Sequence, residues 1–206
     1  MKKIALLIGV IFLVVCKPEK ILAQDQKNDV AINAGVGGSA IYLLIGFYDV
    51  SATTTGINIS YSPAYSLTAD YGLTNQFSIG PAMGYQIVTI TYNNYDNLLI
   101  RKSIVQNISR LNIGIRLLYH FFTNSRIDIY TGGRPGFSHW SNTNNSGDPS
   151  FVGSTSPFNL PSIQWLLGIR AYLIDNLGLH LEGALGTPYF IEGGITLRFR
   201  STKSVK

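Results

Sequence analysis

Cysteine is almost missing from this chain: Cys16 is the single thiol among 206 residues. One cysteine closes no internal disulfide, and a zinc site built from thiolates is excluded with it. Charge is scarce as well. Asp, Glu, Lys and Arg make up 13% of the chain, about half the roughly 25% of an ordinary soluble domain, which argues against a disordered tail and against a water-facing globule. After residue 28 the sequence also lacks any continuous apolar run near 18 residues, so the chain has no transmembrane helix there. What it has instead is 46% hydrophobic residues, 12% aromatics and 21 glycines, in a length suited to one domain with a sizeable interior.

The first residues read as an address. Lys2 and Lys3 precede an apolar run from Ile4 to Val15, shorter than the ~20 residues of a spanning helix, and Ala23 offers a small residue for cleavage before Gln24. This pattern predicts a secretory signal over residues 1–23 and one domain over 24–206. Two alternatives stay open: a retained anchor, and lipidation at Cys16, whose preceding Val15 is larger than a lipobox prefers. Removing residues 1–23 removes four lysines and Glu19, so the formal charge falls from +5 to +2. Without a basic patch nothing points to nucleic acid.

The remainder alternates. Ile57, Ile59, Tyr61, Pro63, Tyr65, Leu67, Ala69 and Tyr71 stand on one parity, with Asn58, Ser60, Ser62, Ala64, Ser66, Thr68 and Asp70 on the other. That period of two predicts a strand. The same rhythm returns from Phe77, Leu111, Ile127, Ile163, Leu179 and Tyr189, and with Val30 to Val36 it makes eight strands. Connections alternate in length. Short ones centre on Gly72–Gln76, Phe122–Ser125 and Asp175–Gly178; long ones are expected at about Ile41–Thr55, Asn93–Lys102 and His139–Leu160, followed by a brief last one at Gly186–Pro188.

Side-chain chemistry decides which face looks inward. Asp70, Arg110, Arg116, Asp128, Arg134, Arg170, His180, Glu182, Glu192 and Arg198 all fall on the polar parity, and these strand interiors contain no lysine. Arg and carboxylates in near balance, interleaved with Gly, Ser and Ala, suit a narrow ion-paired lumen. Tyr, Phe, Trp, Leu and Ile occupy the other face, with aromatics near strand ends as in an interfacial girdle. A sheet in lipid must pair all its backbone groups, so it closes. Eight strands close with an interior filled by side chains. The expected fold is therefore all-β, an eight-stranded antiparallel up-and-down transmembrane barrel. A soluble, secreted lipocalin-like ligand-binding barrel with the apolar face inward is the rival; it would bury several tyrosine hydroxyls.

The last strand, Glu192-Gly193-Gly194-Ile195-Thr196-Leu197-Arg198-Phe199, resembles the C-terminal insertion signal of the small eight-stranded outer-membrane β-barrels of the OmpA/OmpX type. Glu192, Gly194, Leu197 and Phe199 carry the match, and Arg200 to Lys206 extend past the aromatic that normally closes such chains. The resemblance covers residues 29–200. It implies a bacterial outer-membrane location, termini and short turns on the periplasmic side, and long loops outside. It also implies outer-membrane lipid, lipopolysaccharide and the barrel-insertion machinery as partners.

Two sets of residues bear on chemistry. The lumen network of Asp70, Arg110, Arg116, Asp128, Arg134, Arg170, Glu182, Glu192 and Arg198 reads either as an ion path or as a structural plug of paired charges. His120, His139 and His180 lack metal-ligand spacing, so no metal or cofactor is expected. His139-Trp140-Ser141-Asn142 resembles the His-x-Ser-Asn signature of the outer-membrane lipid A deacylases, which would make Ser141 a nucleophile and His139 its base. That family places the motif near the C-terminus with a Glu following, whereas here about three strands follow and the nearby acid is Asp148. Ile41–Val50 reads as an extension of the first strand, or as a loop touching lipopolysaccharide or another partner. Ser141–Pro161 reads as a polar mobile loop. The expectation is a non-enzymatic barrel acting through its extracellular loops, whose partner the sequence does not name.

Overall fold

The computed structural model describes residues 27–39, 55–95, 101–144 and 157–200. The expected signal segment, Cys16, Ile41–Val50 and Asp148 lie outside the described residues. Nine strand segments follow one another without a helix among the described residues: β1 (Val30–Gly38), β2 (Thr55–Tyr61), β3 (Ala64–Gly72), β4 (Phe77–Tyr95), β5 (Arg101–Thr123), β6 (Ile127–Asn144), β7 (Phe158–Ile174), β8 (Leu177–Gly186) and β9 (Ile191–Phe199).

They make eight staves. β2 and β3 both pair with β4, one beyond the other, so they are two halves of a single stave. The break falls at Ser62-Pro63, where proline brings no N–H to the ladder. Ser62 bridges the gap: its N–H donates to the Ile87 carbonyl at 2.8 Å and its Oγ accepts the Ile87 N–H at 3.0 Å. Every stave is antiparallel to its sequence neighbours, and β1 closes the ring on β9 with Val30 opposite Phe199 and Gly38 opposite Ile191. Among the described residues β2 pairs with β4 alone, and the other strands pair on both sides.

Proline placement follows the ladder. Pro81 pairs with Ile115 on β5, but on its β3 side the two rungs between Thr68–Ala82 and Tyr71–Ile79 are missing. Pro135 pairs with Ile163 on β7, while on its β5 side two rungs are missing between Gly114–Gly136 and Leu117–Gly133. Each ring thus sits where one side of its strand has already given up hydrogen bonds.

Two expected loops are strand at both ends. β4 and β5 stay in register out to Asn94 opposite Lys102, and β6 and β7 pair His139 with Asn159 and Trp140 with Phe158. The expected connections at Asn93–Lys102 and Ser141–Pro161 therefore shrink to residues 96–100 and 145–157. Polar composition resembles a loop, but here it belongs to hairpins whose backbone groups pair with each other. Lys102 accordingly lies in β5, beyond the lysine-free stretch.

Parity sorts the side chains as anticipated. Ile163, Trp165, Leu167 and Leu185 are 57–79% exposed on the outer wall, while Arg116, Arg134, Asp128 and Glu182 are each 1% exposed inside. Aromatics mark both ends of the wall. Phe77 and Tyr119 meet across β4 and β5 with ring centroids 5.2 Å apart near the short turns, and Tyr65, Tyr85, Phe137 and Phe190 stand exposed toward the other end. The interior also holds apolar groups on the inward parity, joined by Tyr189, expected on the outer face but buried because it precedes β9. Leu118, Tyr130, Leu166 and Tyr189 cluster with Ala64 and Ala184, and Val88 packs with Ile90, Ile108 and Trp140 in the long hairpins.

Candidate functional site in the barrel lumen

Strand alternation places one side chain in every two in the lumen, and antiparallel register then sets which of them meet. Asp70 (β3), Arg116 (β5), Asp128 (β6), Arg170 (β7) and Glu182 (β8) form one continuous network. Arg116 Nε lies 3.1 Å from Asp70 Oδ1 and its Nη2 lies 2.8 Å from Glu182 Oε2. Arg170 grips Asp70 with Nη2 and Asp128 with Nη1, the latter at 3.1 Å. Signs alternate from Glu182 through Arg116, Asp70 and Arg170 to Asp128, so each buried charge has an opposite neighbour.

Polar neighbours complete these pairs. The Tyr130 and Tyr189 hydroxyls both donate to Glu182, Tyr130 at 2.9 Å. Asn33 donates to Asp70 at 3.1 Å and to Thr68 at 2.8 Å, and itself accepts from Thr196 at 2.7 Å. The Tyr130 ring lies beneath two cations, the Arg170 guanidinium 4.4 Å and the Arg116 guanidinium 5.8 Å from its centroid. Its room comes from Gly168 opposite, where a Cβ would stand 2.4 Å from the ring. Tyr189 reaches in from the β8–β9 connection; burial, reinforced by the Glu182 charge, raises its phenol well above the ordinary range and keeps it a donor.

The remaining predicted lumen residues lie apart from this network. Toward the long hairpins, Arg110 donates to Gln86 at 2.9 Å and to the Pro188 carbonyl at 2.5 Å, and sits 5.5 Å from the Trp140 ring. Arg134 is buried with no hydrogen-bond partner for its guanidinium among the described residues. Glu192 Oε1 accepts from His180 Nε2 at 3.1 Å. Toward the short turns, Arg198 donates to the Asp175 and Ser125 carbonyls and lies 3.7 Å from the Tyr172 ring, closing that end. Among the described residues, five buried guanidiniums thus face four buried carboxylates.

Sequence reasoning left out Tyr130, Tyr189, Asn33 and Ser78 as lumen partners, although Tyr130 and Ser78 already stood on the polar parity. His120 lies in the lumen, with its Nδ1 2.7 Å from Asp128 Oδ1. Of the insertion-signal residues, Glu192 points in, Leu197 and Phe199 point out, and Gly194 packs so near the Ala34 carbonyl that a Cβ would stand 2.1 Å away.

His139 and Ser141 share the outward parity at the rim, but the structure does not join them. His139 Nδ1 is 2.8 Å from Asn159 Oδ1, Ser141 stands opposite Ser109, and no hydrogen bond links His139 to Ser141 among the described residues. No group of three His, Cys, Asp or Glu with metal-holding geometry occurs among the described residues.

No protein-family model matches this chain, and no curated protein matches its sequence. Solved structures do. The outer membrane protein OprG from Pseudomonas aeruginosa aligns over 85% of this chain and 98% of its own, with a TM-score of 0.54 at 11% identity. Ail, the attachment invasion locus protein of Yersinia pestis, aligns over 84% and 99%, with a TM-score of 0.44 at 9% identity. The N-terminal β-barrel domain of Pseudomonas aeruginosa OprF aligns over 84% and 98%, with a TM-score of 0.36 at 15% identity. With its closed antiparallel ring, apolar outer wall and likeness to OprG, this chain has the fold of the small eight-stranded outer-membrane β-barrels.

Proposed function

We propose that the chain is exported to the bacterial outer membrane and serves there as a structural and surface-interaction barrel, with its lumen as a plug. The long-hairpin end faces outward and presents the connecting loops to a partner, and the outer wall contacts lipid and lipopolysaccharide. The observation that carries this reading is the network from Glu182 to Asp128, which joins β3, β5, β6, β7 and β8 across the lumen. A lumen crossed by paired charges and packed with Tyr130, Leu118 and Leu166 leaves no aqueous channel of porin width. At the outer rim the pairing of His139 with Asn159 favours a loop-positioning role for that histidine over acyl-ester chemistry with Ser141.

Planar-bilayer recording on the refolded chain tests the plug. The expected trace shows no stable stepwise conductance; a reproducible pore current would contradict it. Lipid A acyl chains should be unchanged in mass when the chain is expressed with intact Ser141, and loss of one acyl chain that depends on Ser141 would instead install the esterase at the rim.

A further inference from the structure

Three side chains near the short turns stand in an order that ion pairing alone does not require. Ser78 (β4), His120 (β5) and Asp128 (β6) project from successive staves. Ser78 Oγ lies 2.8 Å from His120 Nε2, and His120 Nδ1 lies 2.7 Å from Asp128 Oδ1. Asp128 is held on both oxygens, by the Thr123 hydroxyl on Oδ1 at 3.0 Å and by Arg170 on Oδ2 at 3.1 Å. An ionised carboxylate only accepts, so the ring proton sits on Nδ1 and Nε2 accepts from the Ser78 hydroxyl. Nucleophile, base and orienting acid are thereby joined through the two different ring nitrogens, the relation that activates a serine.

Two spaces adjoin this group. A cavity of about 20 Å³, room for one water-sized group, is lined by Ser78, His120, Asp128 and Arg170. His120 also lines an open pocket of about 560 Å³ at the barrel mouth, where Lys27, Thr74, Asn75, Gln76 and Thr123 surround the one aromatic, Phe121. The small cavity suits a carbonyl oxygen and not a long acyl tail. The polar mouth suits a hydroxyl-rich alcohol.

We infer that Ser78, activated by His120 and oriented by Asp128, is a reactive nucleophile that hydrolyses short-chain acyl esters of polar alcohols at the short-turn mouth of the barrel. This goes beyond the architectural role and does not rest on it. Ser78 Oγ attacks the ester carbonyl carbon as its proton passes to His120 Nε2. Arg170, which lines that cavity, sets its cationic side chain beside the developing oxyanion. Collapse breaks the bond to the alcohol oxygen, which takes the proton from Nε2. Water then attacks the acyl-serine and gives a proton to Nε2; the acyl–Oγ bond breaks, Oγ takes that proton back from Nε2, and the carboxylic acid leaves with Ser78 and His120 restored.

The test uses the full chain folded in detergent micelles, treated with a fluorophosphonate probe and separately with p-nitrophenyl acetate. The expected result is a covalent adduct that peptide mass spectrometry places on Ser78, absent from urea-unfolded protein. Ser78→Ala should remove the adduct and the esterase rate, and His120→Gln should slow labelling by about 10²- to 10⁴-fold. Mapping the adduct on the unsubstituted chain keeps the test decisive even where a variant does not fold. A folded barrel without an adduct at Ser78, equal labelling of the unfolded chain, or ester hydrolysis unchanged in Ser78→Ala would overturn the assignment.

Discussion

Arg116 joins Glu182 to the rest of the network, because it contacts both Asp70 and Glu182. Arg116→Leu would leave Glu182 with only hydroxyl donors and deprive Asp70 of one of its two cations. Breaking a buried pair on one side costs about 3–5 kcal/mol, so the expected outcome is a lower temperature for loss of the folded, fast-migrating band on unheated gels, with the barrel still non-conducting. Stability equal to that of the unsubstituted chain would show the ion pairs to be incidental. Gly168 makes a second case. Any side chain there meets the Tyr130 ring, so Gly168→Val should displace the ring and lower stability by about 1–3 kcal/mol, measured by urea unfolding in detergent. The inward direction of Asp70, Arg116 and Arg170 was legible from parity and the missing lysines. Their partners were not, because Asp70 and Arg170 are 100 residues apart and only the order of staves brings them together.

At the scale of the strand, composition misleads where water and membrane meet. The hairpins β4–β5 and β6–β7 continue past the apolar wall as paired ribbons whose residues, such as Asn93, Asn142 and Thr143, read as loop. Polarity reports the solvent around a strand and not the state of its backbone. Inside these ribbons Val88, Ile90, Ile108 and Trp140 turn the inward face apolar, reversing the trend below them. Trp140→Ala should therefore loosen the long hairpins while sparing the ion-paired middle. Amide hydrogen exchange should accelerate at Val88–Thr91 and Gln106–Ser109 and stay slow at Ile113–Leu117. Uniform acceleration along both strands would show that the two layers unfold as one unit. The half-staves β2 and β3 teach a related lesson, since Pro63 kept the expected parity but not an unbroken ladder.

For the molecule as a whole, the decisive feature is that the apolar side chains enclose the charged ones. The eight-strand count, the order and the closure were legible because each stave alternates cleanly and the short turns are marked by Gly, Asn and Asp. A charge placed on the wall should be costly in a bilayer: Leu167→Arg, at a site 57% exposed in the middle of β7, is expected to destabilise the inserted barrel by about 2–4 kcal/mol. The most direct test reads the surroundings of the neighbouring Trp165, which is 67% exposed on the same wall and satisfies its indole N–H locally on Thr131 at 2.9 Å. In the Trp140→Phe chain, where Trp165 is the one remaining tryptophan, fluorescence should be strongly quenched by bilayers with brominated acyl chains and barely by aqueous iodide. Efficient iodide quenching without a bromolipid effect would place the wall in water and contradict the account.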